Sequence, residues 1–169
     1  MSRTVLITGA SRGIGRAVAE HCLAEGHRLC LGLRDPAAVK GTPLDNAHVL
    51  PVAYDASQPE QATSLVDAAT SWAGGVDALI HCAGILHRTP LLFEDGQEAE
   101  LEELWRVNVM GPWRTLGVSG SRFAARTANL ELVRGFLGCG VDWLGAGGIG
   151  FSTCFDWAQK CEEFSIVNF

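Results

Sequence analysis

The opening segment of the chain constrains the fold more than any other part of the sequence. A short apolar run, Thr4–Thr8, has the length and composition of a buried strand. A glycine-rich turn follows over residues 9–15, and a helical pattern begins at residue 14 and stops at Gly26. This order brings backbone N–H groups and the positive end of a helix dipole to the end of a strand, where they can bind a phosphate group. The segment therefore predicts a parallel sheet with an anion site at its edge.

Strands and helices continue to alternate along the chain. Apolar runs predict further strands over residues 29–33, 49–54 and 78–82, and helical spacing predicts helices between Ser57 and Gly74 and over residues 98–110. Pro51 interrupts the third strand, and because proline has no N–H to donate, that strand is expected at a sheet edge. The sequence thus predicts an α/β fold, a Rossmann-like doubly wound parallel sheet of strand order 3-2-1-4, followed by an irregular C-terminal tail.

The glycines of the turn have separate expected roles. Gly9 allows a tight turn off the strand, Gly13 allows backbone N–H groups to approach a pyrophosphate, and Gly15 allows close packing of helix against strand. A glycine pattern alone is weak evidence, but here it follows a strand and opens a helix. A turn without any ligand is the alternative.

Several motifs in this half of the chain resemble those of the short-chain dehydrogenase/reductase family. The turn Thr8-Gly9-Ala10-Ser11-Arg12-Gly13-Ile14-Gly15 has the family's Gly-x-x-x-Gly-x-Gly spacing. Asp55 follows the third strand, Cys82-Ala83-Gly84 resembles the Asn-Ala-Gly turn after the fourth strand, and Asn108 resembles the asparagine of the catalytic tetrad. The resemblance covers roughly residues 2–114, and the motifs occur in the family's order.

The resemblance implies a nicotinamide dinucleotide cofactor and hydride transfer to or from a small carbonyl or alcohol substrate. It also implies that Asp55 contacts the adenine. The expected cofactor-binding residues are Gly9, Ser11, Arg12, Gly13, Ile14, Gly15, Arg34, Asp55, Ala83 and Gly84, and the expected catalytic residue is Asn108.

The end of the second strand bears on which dinucleotide is bound. Family members that prefer NAD usually carry an acidic residue there, which bonds the ribose hydroxyls. This chain has Arg34 at that point, and Asp35, one residue later, is expected to point elsewhere. Arg34 and Arg12 could together hold a 2′-phosphate by charge-assisted hydrogen bonds. NADP is therefore the expected cofactor and NAD the less favoured one, the alternative being that Arg34 is a solvated loop residue.

The catalytic part of the family pattern is missing from this sequence. The family's chemistry needs a tyrosine and a lysine four residues later, yet the only tyrosine is Tyr54, in the third predicted strand. An aspartate, such as Asp156 four residues before Lys160, is already ionised near neutral pH and cannot replace a phenol. The parent activity is therefore expected to be absent or very low.

The family marks stop together near Arg114. We expect a single domain over residues 1–169, with a dinucleotide-binding part at 1–114 and a glycine-rich tail at 115–169 that reflects truncation or a change of reading frame. Within the tail, residues 130–137 are compatible with a helix and residues 148–155 with a strand. A sheet that ends at the fourth strand would leave an unpaired edge, which favours association. The alternative function is a non-catalytic nucleotide-binding or interaction module that pairs with a homologue, and a homo-oligomer is possible.

Composition excludes several other classes of protein. The net charge is −6 with no basic tract, which argues against a nucleic-acid partner. No signal peptide and no membrane-spanning apolar stretch is apparent, so we expect a cytoplasmic protein without membrane association. The six cysteines form no CxxC pair, and no metal site is expected.

Three further side chains have two plausible roles each. His81 is expected to pack within the fourth strand, with a catalytic base as the alternative. Trp105 and Trp113 are expected to pack in the core, with an interface as the alternative.

Overall fold

The computed structural model describes residues 2–86 and 98–123 and three short strands farther along the chain, with side chains described as far as Ser119. The strands are β1 (Thr4–Thr8), β2 (Arg28–Leu33), β3 (Val49–Ala53), β4 (Ala78–His81), β5 (Leu132–Arg134), β6 (Gly140–Leu144) and β7 (Gly148–Ser152). The helices are α1 (Gly13–Ala24), α2 (Pro59–Ala73), α3 (Glu98–Trp105) and α4 (Gly111–Phe123). A 3-10 helix spans Pro36–Val39, and a π-helical turn, Arg106–Met110, joins α3 to α4.

The first four strands form the parallel part of the sheet. The order across the whole sheet is β3-β2-β1-β4-β5-β6-β7. β1 lies between β2 and β4, with Val5 beside both Leu29 and Ala78. The predicted order 3-2-1-4 is therefore confirmed, and so is the edge position of the strand that contains Pro51.

The outer side of β4 is paired. β5 runs parallel to it, with Leu132 beside Leu79, and β6 and β7 follow in antiparallel order. The unpaired edge is expected for a sheet that ends at β4, whereas here the tail covers that edge through Leu132; buried strands such as β4 require partners for their backbone groups. The helix predicted over residues 130–137 is also wrong, since an apolar run this short is compatible with either element. The strand expected over residues 148–155 is present as β7, and the remaining residues after 123 lie outside the described part.

The core has two layers, one on each face of the sheet. Side chains of β1 alternate between them, with Val5 and Ile7 on the α1 side and Leu6 on the α2 side. All three are at most 3% exposed. Because helices cover both faces, the strand is buried along its whole length and its three central residues are all apolar, as is usual for parallel strands of α/β folds.

The buried face of α1 differs from the predicted one. The sequence suggests Ile14 and Ala17 beside Val18 and Cys22, but Ile14 is 56% exposed and Ala17 is exposed as well. The residues that face the sheet are Gly15, Val18, Ala19 and Cys22. Glycine does not count as an apolar residue in a periodicity, so the pattern misses Gly15. It therefore places the buried face of the helix about one residue away from its true position.

The helix predicted over residues 98–110 is two elements. α3 buries no residue, and its last residue, Trp105, is 60% exposed. Trp113 on α4 is 64% exposed, so the expectation that the two tryptophans pack in the core is wrong. The π-helical turn between them contributes the buried residues Val107 and Asn108. Such turns often occur at functional sites.

The described part of the chain carries neither a membrane-spanning helix nor a cluster of metal-binding side chains. No helix among residues 2–86 and 98–123 has the length and apolar character needed to cross a membrane. Nor do histidine, cysteine, aspartate and glutamate side chains of that part form a group of three suited to a metal ion.

Candidate cofactor-binding site

A cleft of about 900 Å³ opens at the carboxyl ends of the parallel strands. It lies where the strand order reverses between β1 and β4, the usual ligand position in open α/β sheets. Its walls are the glycine turn, the loops after β2, β3 and β4, α3 and the π-helical turn. Every residue expected to bind the cofactor lines this cleft, and Asn108 lines it too. Five separate segments of the chain thus converge on one cavity of the size that holds a small-molecule ligand.

Gly9 lies at the most crowded point of the turn. Its φ of 76° is in the left-handed region, and a Cβ at this position would lie 2.5 Å from the backbone nitrogen of Ala83. The Gly9 N–H donates to the carbonyl of Gly32 at 2.9 Å. Gly9 therefore holds the loop after β4 and the end of β2 against the turn, a contact that the sequence does not reveal.

Gly15 and Gly13 differ in what surrounds them. A Cβ on Gly15 would lie 2.5 Å from the Gly9 carbonyl oxygen and 2.8 Å from the Cβ of Cys82, so this position has no room for a side chain. Gly13 has a φ of 59°, and a Cβ added to it would have no atom within 4 Å, so it faces open space within the cleft. These surroundings agree with close packing at Gly15 and with an accessible backbone at Gly13.

The first turn of α1 points its free N–H groups toward the cleft. Arg12 precedes the helix in an extended conformation and makes no side-chain capping hydrogen bond. Residues 13–15, the first of the helix, all line the cavity. Uncapped N–H groups together with the helix dipole provide an anion site.

Arg12 and Arg34 give the cleft its positive charge. Both are exposed and both line the cavity. Neither forms an ion pair with a carboxylate in the described part of the chain, where Arg16 pairs with Glu20. Asp35 turns away from them, since its Oδ1 accepts the Ala37 N–H at 2.9 Å at the start of the 3-10 helix. Because neither guanidinium is paired with a carboxylate of the described residues, both are available to a bound anion.

Asp55 is fixed by its own loop. Its Oδ1 accepts the Ser57 N–H at 2.9 Å, and its backbone N–H donates to Oε1 of Gln61 at 2.6 Å. Among the residues described, none donates a hydrogen bond to Oδ2. The side chain is half-buried and lines the cleft. One carboxylate oxygen can thus accept a hydrogen bond from a ligand without disturbing the loop.

Asn108 binds the loop after β4. Its Oδ1 accepts the Ile85 N–H at 2.9 Å and its Nδ2 donates to the Ile85 carbonyl at 2.8 Å. This double hydrogen bond is the pattern of a strand pair, with a side-chain amide in place of a backbone. Gly84 is close as well, because a Cβ there would lie 3.2 Å from Oδ1. The side chain that the sequence marks as catalytic therefore also holds the cleft wall in shape.

His81 lies within the sheet. It is 4% exposed, does not line the cleft, and its Nδ1 lies 3.4 Å from Oγ1 of Thr8 on β1. Thr8 Oγ1 also accepts the Ala83 N–H at 3.3 Å. These positions favour a packing role over that of a catalytic base.

The cysteines of the described region are poor nucleophiles. Cys22, Cys30 and Cys82 are all free thiols. Cys82 lines the cleft where the family has asparagine, and burial raises its pKa to about 11. The thiolate is the reactive form, so this thiol is inert near neutral pH.

Tyr54 follows β3 and is 3% exposed. Its hydroxyl lies 3.0 Å from Oγ1 of Thr115 on α4, within the protein. Burial raises the pKa of Tyr54, which keeps the phenol protonated. Its position and its hydrogen bond are unsuited to proton transfer with a substrate.

Comparisons with known proteins agree with this geometry. An (S)-acetoin-forming diacetyl reductase of Staphylococcus epidermidis is 29% identical over 137 residues, which are 79% of this chain and 52% of the relative. A 3-ketoacyl-(acyl-carrier-protein) reductase from Brucella melitensis, solved in complex with NADH, has a TM-score of 0.62 and 31% identity, covering 68% of this chain and 47% of that one. A short-chain type dehydrogenase/reductase from Mycobacterium marinum has a TM-score of 0.68 and 26% identity, covering 78% and 54%.

The chain spans about half the length of these proteins. The short chain dehydrogenase family matches residues 3–119, which include the glycine turn, Asp55 and Asn108. This match extends over more than two thirds of the 169 residues. The chain therefore belongs to the short-chain dehydrogenase family, and its fold is that family's Rossmann fold.

Proposed function

We propose that this chain binds a nicotinamide dinucleotide, with NADP(H) preferred over NAD(H), in the cleft at the carboxyl ends of β1–β4. The observation that carries the proposal is the convergence of the ten expected binding residues on one cavity. These residues come from the glycine turn and from the loops after β2, β3 and β4, and they place the uncapped N–H groups of α1 and the cations Arg12 and Arg34 around one cavity, as binding of an anionic ligand requires.

The residues present fit such a ligand. The open side of Gly13 and the uncapped N–H groups of α1 suit the pyrophosphate, because an anion can approach the backbone there. Asp55 forms part of the wall assigned to the adenosine. The loop after β4, around Ala83 and Gly84 and held by Asn108, would hold the nicotinamide side.

The preference for NADP(H) rests on charge. A 2′-phosphate is doubly charged or nearly so, and Arg12 and Arg34 are two cations without a carboxylate partner in the described part of the chain. Asp35 is the one acidic residue near the end of β2, and its Oδ1 is already bonded to a backbone N–H. NAD-specific recognition would need a carboxylate directed at the ribose hydroxyls.

The parent chemistry is hydride transfer between the bound nicotinamide and a carbonyl or alcohol carbon of a small substrate. This chain is proposed to perform it poorly or not at all, because the only tyrosine, Tyr54, is bonded to Thr115 and no Tyr-x-x-x-Lys occurs in the 169 residues. Asn108 is the remaining member of the catalytic set.

Calorimetric titration with NADPH and with NADH tests the proposal directly. We expect binding of both, with NADPH tighter, and a rise in thermal stability on addition of NADPH. Arg34→Ala should weaken NADPH binding about tenfold or more while leaving NADH nearly unchanged, since hydrogen bonds to charged groups are worth about 1.5–3 kcal/mol. Arg16→Ala is the matched control, because it removes a cation from the same region that does not line the cleft.

Absence of heat and of stabilisation with either coenzyme, for well-folded protein, would refute the proposal. Equal affinity for the two coenzymes would refute the NADP preference alone. Measurable oxidation of NADPH with a panel of aldehydes, ketones and quinones would refute the proposed loss of turnover.

The second candidate function is a non-catalytic interaction module. Trp105 and Trp113, which are 60% and 64% exposed, favour it, since large aromatic side chains are enriched in protein interfaces. Light scattering of the purified chain, alone and with Trp113→Ser, measures the self-association that this function predicts. A monomer at all concentrations would count against pairing of two copies.

A further inference from the structure

Tyr54 makes a buried contact between the loop after β3 and helix α4. Its hydroxyl lies 3.0 Å from Oγ1 of Thr115, and the two residues are 3% and 0% exposed. The contact joins residues 61 positions apart in sequence. Buried hydroxyl groups are nearly always hydrogen-bonded, and the direction of each hydrogen bond here follows from which groups can donate.

Thr115 Oγ1 also lies 3.0 Å from the carbonyl oxygen of Gly111, one turn earlier in α4. A carbonyl can only accept, so the single hydroxyl proton of Thr115 is donated to Gly111. Tyr54 must then be the donor to Thr115. The raised pKa of Tyr54, caused first by burial, keeps that proton in place.

A second contact joins the same two elements on the other side of Asp55. A Cβ on Gly111 would lie 2.8 Å from the Cβ of Ala56 and 3.0 Å from its carbonyl oxygen, so the backbone of α4 packs directly on Ala56. Tyr54 and Ala56 are the two neighbours of Asp55 in sequence. Asp55 is therefore held from both sides by the first turns of α4.

The ring of Tyr54 extends this support to the glycine turn. A Cβ on Gly32 would lie 3.2 Å from Cδ1 of Tyr54, so the ring covers the backbone of β2 at this glycine. The Gly32 carbonyl in turn accepts the Gly9 N–H. The ring and the hydroxyl thus have separable roles: the ring packs on β2, and the hydroxyl ties the loop to α4.

We propose that Tyr54 is a positioning residue for the dinucleotide, and that its hydrogen bond to Thr115 sets the position of the Asp55 carboxylate at the cleft wall. The inference rests on the proposed function, in which Asp55 contacts the adenosine. Tyr54 itself lines the cleft, but the consequence proposed here comes from its hydroxyl, which is bonded to Thr115 inside the protein.

The test is a double-mutant cycle on NADPH binding with Tyr54→Phe and Asp55→Ala. Tyr54→Phe keeps the ring and removes only the hydroxyl. We expect it to weaken NADPH binding about fivefold in the wild-type background, the effect of one neutral hydrogen bond. In the Asp55→Ala background the same change should leave NADPH affinity within twofold of that of Asp55→Ala alone, because the carboxylate that Tyr54 positions is gone.

Thermal unfolding of the same proteins separates positioning from stability. A merely structural hydroxyl would lower the melting temperature equally in both backgrounds and show no coupling in affinity. Thr115→Ser, which keeps a hydroxyl, should bind NADPH as the wild type does, and Thr115→Val should reproduce the loss seen for Tyr54→Phe. These two variants keep the test valid if Tyr54→Phe fails to fold.

Two results would overturn the inference while leaving the proposed function intact. One is NADPH binding by Tyr54→Phe within twofold of wild type, and the other is an equal loss in both backgrounds. Failure of the wild-type chain to bind NADPH would instead overturn the proposed function, and the inference with it.

Discussion

Substituting alanine for Gly15 tests the packing of α1 against the glycine turn. The added methyl group would lie 2.5 Å from a backbone oxygen and 2.8 Å from a Cβ, so the helix or the turn must move. Overpacking of this kind costs about 1–3 kcal/mol. Alanine also raises helix propensity by about 1 kcal/mol, so the net loss of unfolding free energy is up to about 2 kcal/mol.

Gly117→Ala is the matched control for the helix-propensity term. Gly117 lies inside α4, is exposed, and has open space within 4 Å of the point that an added methyl group would occupy. The substitution should therefore stabilise the protein by about 1 kcal/mol. The difference between the two variants isolates the steric cost at Gly15.

Urea unfolding followed by circular dichroism measures both variants against wild type. We expect Gly15→Ala to have the lower midpoint and also to bind NADPH more weakly, because the displaced helix carries the N–H groups of the cleft. Equal stability of the two variants, within about 0.5 kcal/mol, would refute the close approach of α1 to Gly9, since surface substitutions vary by that much.

Three further predictions concern titratable side chains. Burial raises the pKa of Cys22 to about 11 and that of Cys30 to about 12. Iodoacetamide at pH 8 should therefore label these thiols only after unfolding, which peptide mapping by mass spectrometry measures. Burial, followed by the charge of Arg3, lowers the pKa of His27, so the folded chain binds a proton less readily than the unfolded one. The stability linked to neutral His27 is therefore fully present above pH 6.5 and is lost as pH falls below 6.5 through the lowered pKa of the folded state. An unchanged pH dependence of the urea midpoint in His27→Gln would contradict this. Burial raises the pKa of Tyr54 above the ordinary tyrosine value of about 10. Tyrosinate absorbance should therefore appear near pH 10 in the unfolded chain and only at higher pH in the folded chain.

The sequence predicts the cleft well because local patterns determine its location. A strand, a glycine turn and a helix can be recognised from neighbouring residues, and parallel strands bring their carboxyl ends to one edge. Asp55, Ala83 and Asn108 are therefore expected near Gly13 without knowledge of the contacts between them. Their presence along one cleft follows from the strand order.

The contacts between the walls are not predictable, because they depend on which backbones approach. Asn108 bonds the backbone of Ile85, and Gly9 packs on the backbone of Ala83, and neither interaction leaves a pattern in the sequence. The exposure of Trp105 escapes prediction for a related reason. Helical spacing identifies an apolar stripe, but the stripe does not reveal whether any other element covers it.

One short stretch of chain supports two loops of the cleft wall, the loop after β3 and the loop after β4. Asn108 bonds the loop after β4, while Gly111 and Thr115 contact Ala56 and Tyr54 in the loop after β3. All of these residues lie within the part that matches the family. The described contacts that shape the cleft therefore do not require the missing tyrosine and lysine. The proposed cofactor binding can therefore be tested separately from turnover, with Asn108 as the residue that both would share.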